Sequence, residues 1–127
     1  MSSNAQYSAI PKVGVAQISV ANTARDGTGT MVTVVSAGTG GSRVDDIQIT
    51  ATGVTTAGMV RLFLNNGTTS YLWKEVGVSA VSASGSQPAF NAQLLNQALI
   101  LPSGWSLKAA TNNAETFNVL VTRAGDF

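Results

Sequence analysis

Apolar positions along this chain fall into short alternating or continuous runs separated by small polar turns. A period of two rather than 3.6 predicts strands, not amphipathic helices. Candidate strands lie at about 13–20, 30–37, 43–52, 58–65, 70–78, 89–95, 98–101, 104–111 and 115–123. Turn chemistry separates them: Asp26-Gly27, Gly38-Thr39-Gly40-Gly41, Gly53, Asn66-Gly67, the segment from Ser82 to Pro88, Ser103-Gly104 and Asn112-Asn113. Within AFNAQLLNQALI, residues 89–100, Phe90, Leu94, Leu95 and Ala98 would also line one side of a short helix, but strand remains the expectation.

About eight or nine short strands at this spacing predict an all-β fold, a two-sheet β-sandwich that is jelly-roll-like. Residues 13–127 are expected to make one domain, since a chain of 127 residues supports a single core. Residues 1–12 have no period and end near Pro11, which favours extended backbone, so they read as an extended N-terminal arm. Such an arm either frays or adds to a neighbour's surface, with Tyr7, Ile10 and Pro11 as its contact side chains.

The densest apolar run is TTAGMVRLFLNNGTTSYLWKEV, residues 55–76, and it also holds Arg61, Lys74 and Glu75. A two-residue loop at Asn66-Gly67 would set Leu62 opposite Tyr71 and Val60 opposite Trp73, which requires burial on both faces. A loop of three or five residues would set Leu62 opposite Leu72 and Arg61 opposite Trp73. The second register is preferred because it separates residue types. Val60, Leu62, Leu64, Leu72, Val76 and Val78 then face the core, with Lys74 on that side near a strand end. Met59, Arg61, Phe63, Tyr71, Trp73 and Glu75 share the outer face, and Arg61 can stack on Trp73. Three aromatic rings on one face call for a cover, supplied either by the same chain or by a partner. Aromatics and Arg among few other charges also match an interface core, so these residues, with the arm, are the candidate protein-contact site.

Composition narrows the chemistry. Charged residues are 10% of the chain, against the roughly 25% usual in soluble domains, so Ser, Thr, Asn and Gln must build most of the solvent-facing side. Seven basic and six acidic residues are scattered, which leaves no stripe to follow a phosphate backbone and argues against a nucleic-acid partner. No apolar run approaches the ~20 residues of a membrane span, and MSSNAQYSAIPKVG lacks the features of a signal peptide, so a cytosolically made chain without a membrane partner is expected. The absence of cysteine excludes disulfides and thiolate metal sites, and the absence of histidine removes the usual acid/base group at neutral pH.

The remaining candidates are weak. Asp45 and Asp46 are neighbours on a strand and point to opposite faces unless a bulge intervenes. Asp26 in NTARDGTGT reads as a turn aspartate rather than a Ca²⁺ ligand. AGTGGSR, residues 37–43, lacks the Lys-Ser or Lys-Thr pair and following helix of a phosphate loop. Asn66-Gly67-Thr68 has the form of a glycosylation acceptor, but the turn accounts for it. No cofactor, no metal and no enzymatic activity are expected. A glycan-binding module using Tyr71 and Trp73 as stacking platforms is a weaker alternative.

NTARDGTGT (22–30), TTAGMVRLFL (55–64), LWKEV (72–76), LPSGWSLKA (101–109) and NAETFNVLVTRAGDF (113–127) resemble a group of small virion structural proteins of tailed bacteriophages and prophages. The similarity runs in order across about residues 13–127. The resemblance implies a non-enzymatic β-sandwich subunit, above all a capsid decoration or cement protein seated on the major capsid protein, often as a trimer. It also implies a place on the virion's capsid surface after assembly in the host bacterial cytoplasm. A tail- or neck-associated subunit is the alternative within the particle. No site residue is carried over from the group.

Overall fold

The computed structural model describes residues 10–127. Nine strands make up its regular structure: β1 Ile10–Ile18, β2 Val32–Ser36, β3 Ser42–Ala51, β4 Gly58–Asn65, β5 Ser70–Val78, β6 Asn91–Leu94, β7 Leu99–Leu101, β8 Ser106–Thr111 and β9 Phe117–Asp126. Residues 89–101 resolve as two short strands rather than a helix. Asn96 and Ala98 between them take positive φ, 55° and 49°. That geometry breaks the ladder between β6 and β7, both of which pair with β3.

One sheet has the order β1-β9-β3-β6, with β7 also on β3, and the other has β2-β8-β4-β5. Every strand pair is antiparallel. Strands β1 to β4 alternate between the sheets, β4 and β5 form a hairpin within one, and β6 and β7 both lie on β3 in the other, so the expected two-sheet sandwich is the observed one. The core between the sheets follows from alternation. Ile47, Ile49, Val60, Leu62, Leu107, Ala109, Val119 and Val121 all point inward and are essentially excluded from water. Each large member stabilises the fold by about 1.5–3 kcal/mol through its burial.

Two devices close the sandwich along β1. Gly14 lets β1 approach β2, since a Cβ there would stand 2.7 Å from the Val34 carbonyl oxygen. At the end of the sheets, Lys12 Nζ donates to Ser36 O at 2.8 Å and pairs with Asp126 Oδ1 at 2.7 Å. Ser42 Oγ also donates to that carboxylate, so the trio joins β1, β2, β3 and β9.

Of the arm expected over residues 1–12, the last three residues are strand. Ile10, Pro11 and Lys12 already belong to β1, paired with Asp126, Gly125 and Ala124. Pro11 is tolerated because β1 is an edge strand, where a missing N–H need not break a ladder. Tyr7 lies outside the described residues.

Candidate interaction surface

The β4–β5 hairpin adopts neither register expected from its sequence. Its loop has four residues, Asn66 to Thr69, closed by the Asn66 amide on Thr69 O at 3.1 Å. Asn66 Oδ1 accepts from the Thr68 and Thr69 amides, Asn65 Oδ1 accepts from the Gly67 amide, and Gly67 supplies a φ of 104°. These asparagine caps favour the longer loop over a two-residue turn. Near the loop Phe63 lies opposite Leu72 and Leu64 opposite Tyr71. A register shift at Leu62/Phe63 leaves Trp73 without a partner, and beyond it Leu62 faces Lys74 and Arg61 faces Glu75.

That bulge re-sorts the side chains. Two residues of a bulged strand oppose one on its partner, which turns the strand over locally. Trp73, expected on the outer face, packs against the core, and Leu72, expected in the core, is partly exposed. Lys74 Nζ lies over the Trp73 ring, 5.5 Å from its centroid, so the cation stacked on that indole is Lys74 and not Arg61. Tyr71 is 54% exposed on the edge strand.

Arg61, Phe63 and Glu75 do share the outer face, but the same chain covers it. The segment between β1 and β2, residues 19–31, crosses the outside of the β2-β8-β4-β5 sheet. Ala21 bridges to Thr111 and the Asn22 amide donates to Thr111 O at 2.8 Å. Asn22 folds the segment by donating from Nδ2 to Thr28 O and Thr30 O and accepting the Ala24 amide at Oδ1. Farther along, Gly27 rests against Ser70 so closely that a Cβ would meet its carbonyl oxygen at 2.1 Å. Asp26 is a turn aspartate, as expected, accepting from the Thr28 amide and hydroxyl.

Arg61 is the anchor of this cover. It is 3% exposed and donates from Nε to Glu75 Oε2 at 2.9 Å, and from Nη1 to Asn22 O at 3.3 Å and Asn112 Oδ1 at 3.1 Å. Arg25, on the covering segment, reaches the same Glu75 oxygen at 2.6 Å. Hydrogen bonds from Arg25 first and Arg61 second hold the Glu75 carboxyl below the usual carboxylate range. Phe63 is fully buried, yet it lies outside the core between the sheets. Arg61 and Phe63 are therefore corrected from contact residues to interior ones. Glu75 is tied to the two arginines, and Met59 is half-buried with its carbonyl accepting from the Asn112 amide.

The uncovered surface is on the other sheet. Val13 and Val15 of β1 are 69% and 68% exposed, with Pro11 and Ile10 exposed beside them. Two rows run across all four strands: Val15, Leu120, Gln48, Gln93 and, next to it, Gln17, Asn118, Thr50, Asn91. The amides join one another, Gln17 Nε2 to Asn118 Oδ1 at 3.0 Å and Gln93 Nε2 to Gln48 Oε1 at 2.8 Å. The charges at the margin are paired within the chain. Arg123 binds Asp46, and Arg43 binds Asp45. The Asn96 amide and then Arg123 lower the Asp46 pKa, and bulges around Asp46 help send the two aspartates to different partners. The result is an uncharged surface of valine, leucine, threonine and amides.

Sequence reasoning missed Val13 and Val15 because bulky valines are expected to turn inward. The signal was the small residues alternating with them: Gly14 and Ala16 face the core, Gly14 close against β2, leaving the larger side chains outside. Among the described residues no three acidic side chains gather into a metal-binding cluster. Ser42 and Lys12 come together, but Ser42 is fully buried and its hydroxyl is committed to Asp126. Neither a scan against protein-family models nor a search of curated proteins finds a match to this chain.

Proposed function

We propose that this chain is a non-enzymatic structural subunit of a tailed-phage virion, a capsid decoration or cement protein that binds the major capsid protein and stabilises the shell. The observation that carries the reading is the uncovered outer face of the β1-β9-β3-β6 sheet, where Val13, Val15 and Leu120 adjoin amides and threonines and nearby charges are paired within the chain. Such a surface loses little by leaving water, because no unpaired charge has to be desolvated. The resemblance of residues 13–127 to small virion proteins supplies the partner. On a symmetric shell many copies, each making modest contacts, stabilise the lattice collectively, and a homo-oligomer, trimeric by the resemblance, would add avidity.

Binding of purified protein to shells assembled from the capsid protein of the same phage tests the reading. Val13→Asp with Val15→Asp should abolish co-sedimentation with the shells while leaving the melting temperature close to wild type. Absence of shell binding by the wild-type chain refutes the decoration role. A tail or neck location would use the same surface and is separated from it by the position of labelled protein on particles. The glycan reading has less support, because Trp73 packs against the core and leaves Tyr71 as the exposed ring of its proposed platform.

A further inference from the structure

The four edges of the sandwich are guarded unequally. β5 carries Lys74 and Glu75 and is bent by the bulge at Trp73. β6 and β7 are four and three residues long, and β2 has five. Short strands, charges and bulges are the usual means of preventing edge-to-edge pairing. β1 has nine residues, IPKVGVAQI, and its protection stops at Pro11, Lys12 and a register shift against β9 at Val13, beyond which its ladder is regular to Ile18. Lys12 is drawn inward to Asp126 and Ser36 and so does not defend the edge. From Val13 to Ile18 there is no charge and no proline, and among the described residues no backbone partner outside β9.

We infer that β1 pairs antiparallel with β1 of a second copy, joining the two β1-β9-β3-β6 sheets across a two-fold axis at Gly14. Length and chemistry select that register. An axis at Gly14 overlaps the whole of Ile10–Ile18, with Ile10 opposite Ile18 of the other copy. It sets Val13 against the second copy's Val15 twice, and Pro11 against Gln17 twice. Shifting the axis to Val13 or Val15 places a valine against Pro11 or Gln17 instead and shortens the overlap. Facing residues of antiparallel strands lie on one side, so the four valines form a continuous strip on the outer face. The strip carries no charge, which lets identical surfaces meet without repulsion. The open backbone groups of each edge strand then gain the ladder partners they lack. The inference needs only this chain and is measured without shells; a two-fold pair of β1 strands departs from the trimer that the resemblance implies.

Pairing through one strand belongs at the small end of interfaces, below about 1,200 Å², so the dimer should depend on concentration. Light scattering over a dilution series of the purified protein should show monomer passing to dimer. Val13→Lys with Val15→Lys sets lysine against lysine at both crossings and should give monomer. Val13→Lys with Val15→Glu sets opposite charges together at both and should dimerise about tenfold or more tightly than the double lysine variant. Both valines are largely exposed, so all three proteins should melt alike. If a variant does not fold, amide exchange of the wild-type chain decides: Val13–Gln17 must become better protected as concentration rises. A wild-type chain still monomeric at about 1 mM overturns the pairing. So does a trimer unaffected by the double lysine change, a Lys/Glu variant no tighter than the Lys/Lys one, or protection that does not change with concentration.

Discussion

A guanidinium that is 3% exposed must find its acceptors inside the protein, and Arg61 finds them on three different segments: β5 through Glu75, the β1–β2 segment through Asn22, and the β8–β9 turn through Asn112. Removing it strands those acceptors and loosens the covering segment together. Glu75 is exposed and keeps Arg25, so Arg61→Ala should destabilise the fold by about 2 kcal/mol in urea unfolding, chiefly through the acceptors left unpaired at Asn22 and Asn112. Arg61→Lys should fall between, since an ammonium cannot reproduce the planar fork. Arg25 contacts the same carboxylate but is mostly exposed, so Arg25→Ala should cost under about 1 kcal/mol. The position of Arg61 on the outer face with Phe63 was legible from alternation. Its burial was not, because nothing in the period of β4 announces that a loop some forty residues upstream, by sequence about the separation of Asn22 and Arg61, will lie over it.

At the scale of elements, the expected strands and the observed ones correspond closely, including 58–65 and 70–78 in the hairpin. What alternation could not supply was the bulge, since one extra residue leaves the apolar pattern of each strand intact while changing which residues face each other. Trp73 is the residue most affected. Packed against the core rather than displayed, it should behave as a stability residue: Trp73→Ala is expected to cost about 3 kcal/mol and to lower the melting temperature. Association, compared at a temperature where both proteins are folded, should be unchanged. A loss of association with no loss of stability would return Trp73 to a contact role. β1 shows a related limit. Small residues at Gly14 and Ala16 mark its inner side, but a sequence ranked by hydrophobicity alone puts Val13 and Val15 inside.

For the whole molecule, the carboxylates that ionise more readily in the fold are few: Asp46, Glu75 and Asp126 hold distant segments together, and Asp26 closes a local turn. Asp26, Asp46, Glu75 and Asp126 all have lowered pKa values: by Thr28, by Asn96 and Arg123, by Arg25 and Arg61, and by Lys12 and Ser42 respectively. A carboxyl that ionises more readily when folded contributes stability above its unfolded pKa and loses it as pH falls through its folded value. Melting temperature should thus be maintained at neutral pH and begin to fall as pH drops through about 4, where unfolded carboxylates take up protons first. With no histidine in the chain, no imidazole adds a transition between about pH 5 and 8. A melting curve with a midpoint transition near pH 6.5 would contradict this assignment. The two-sheet architecture was readable from the sequence because turn residues and alternation agree along most of its length. The strand order was not, since pairings such as β1 with β9 depend on packing of the entire chain.

That pairing also sets a schedule. β9 lies between β1 and β3 in its sheet and follows the other eight strands of the described residues. During synthesis β1 emerges early and waits for its neighbour until Phe117–Asp126 has cleared the ribosome, while β4 and β5 can form their hairpin locally. Contacts that span nearly the full chain make for slow closure. Nascent copies on one message consequently expose unpaired β1 strands at the same time, and a strand suited to meeting its own copy is then a hazard before it is a function. Temperature and translation speed should decide how much newly made protein reaches the closed sandwich.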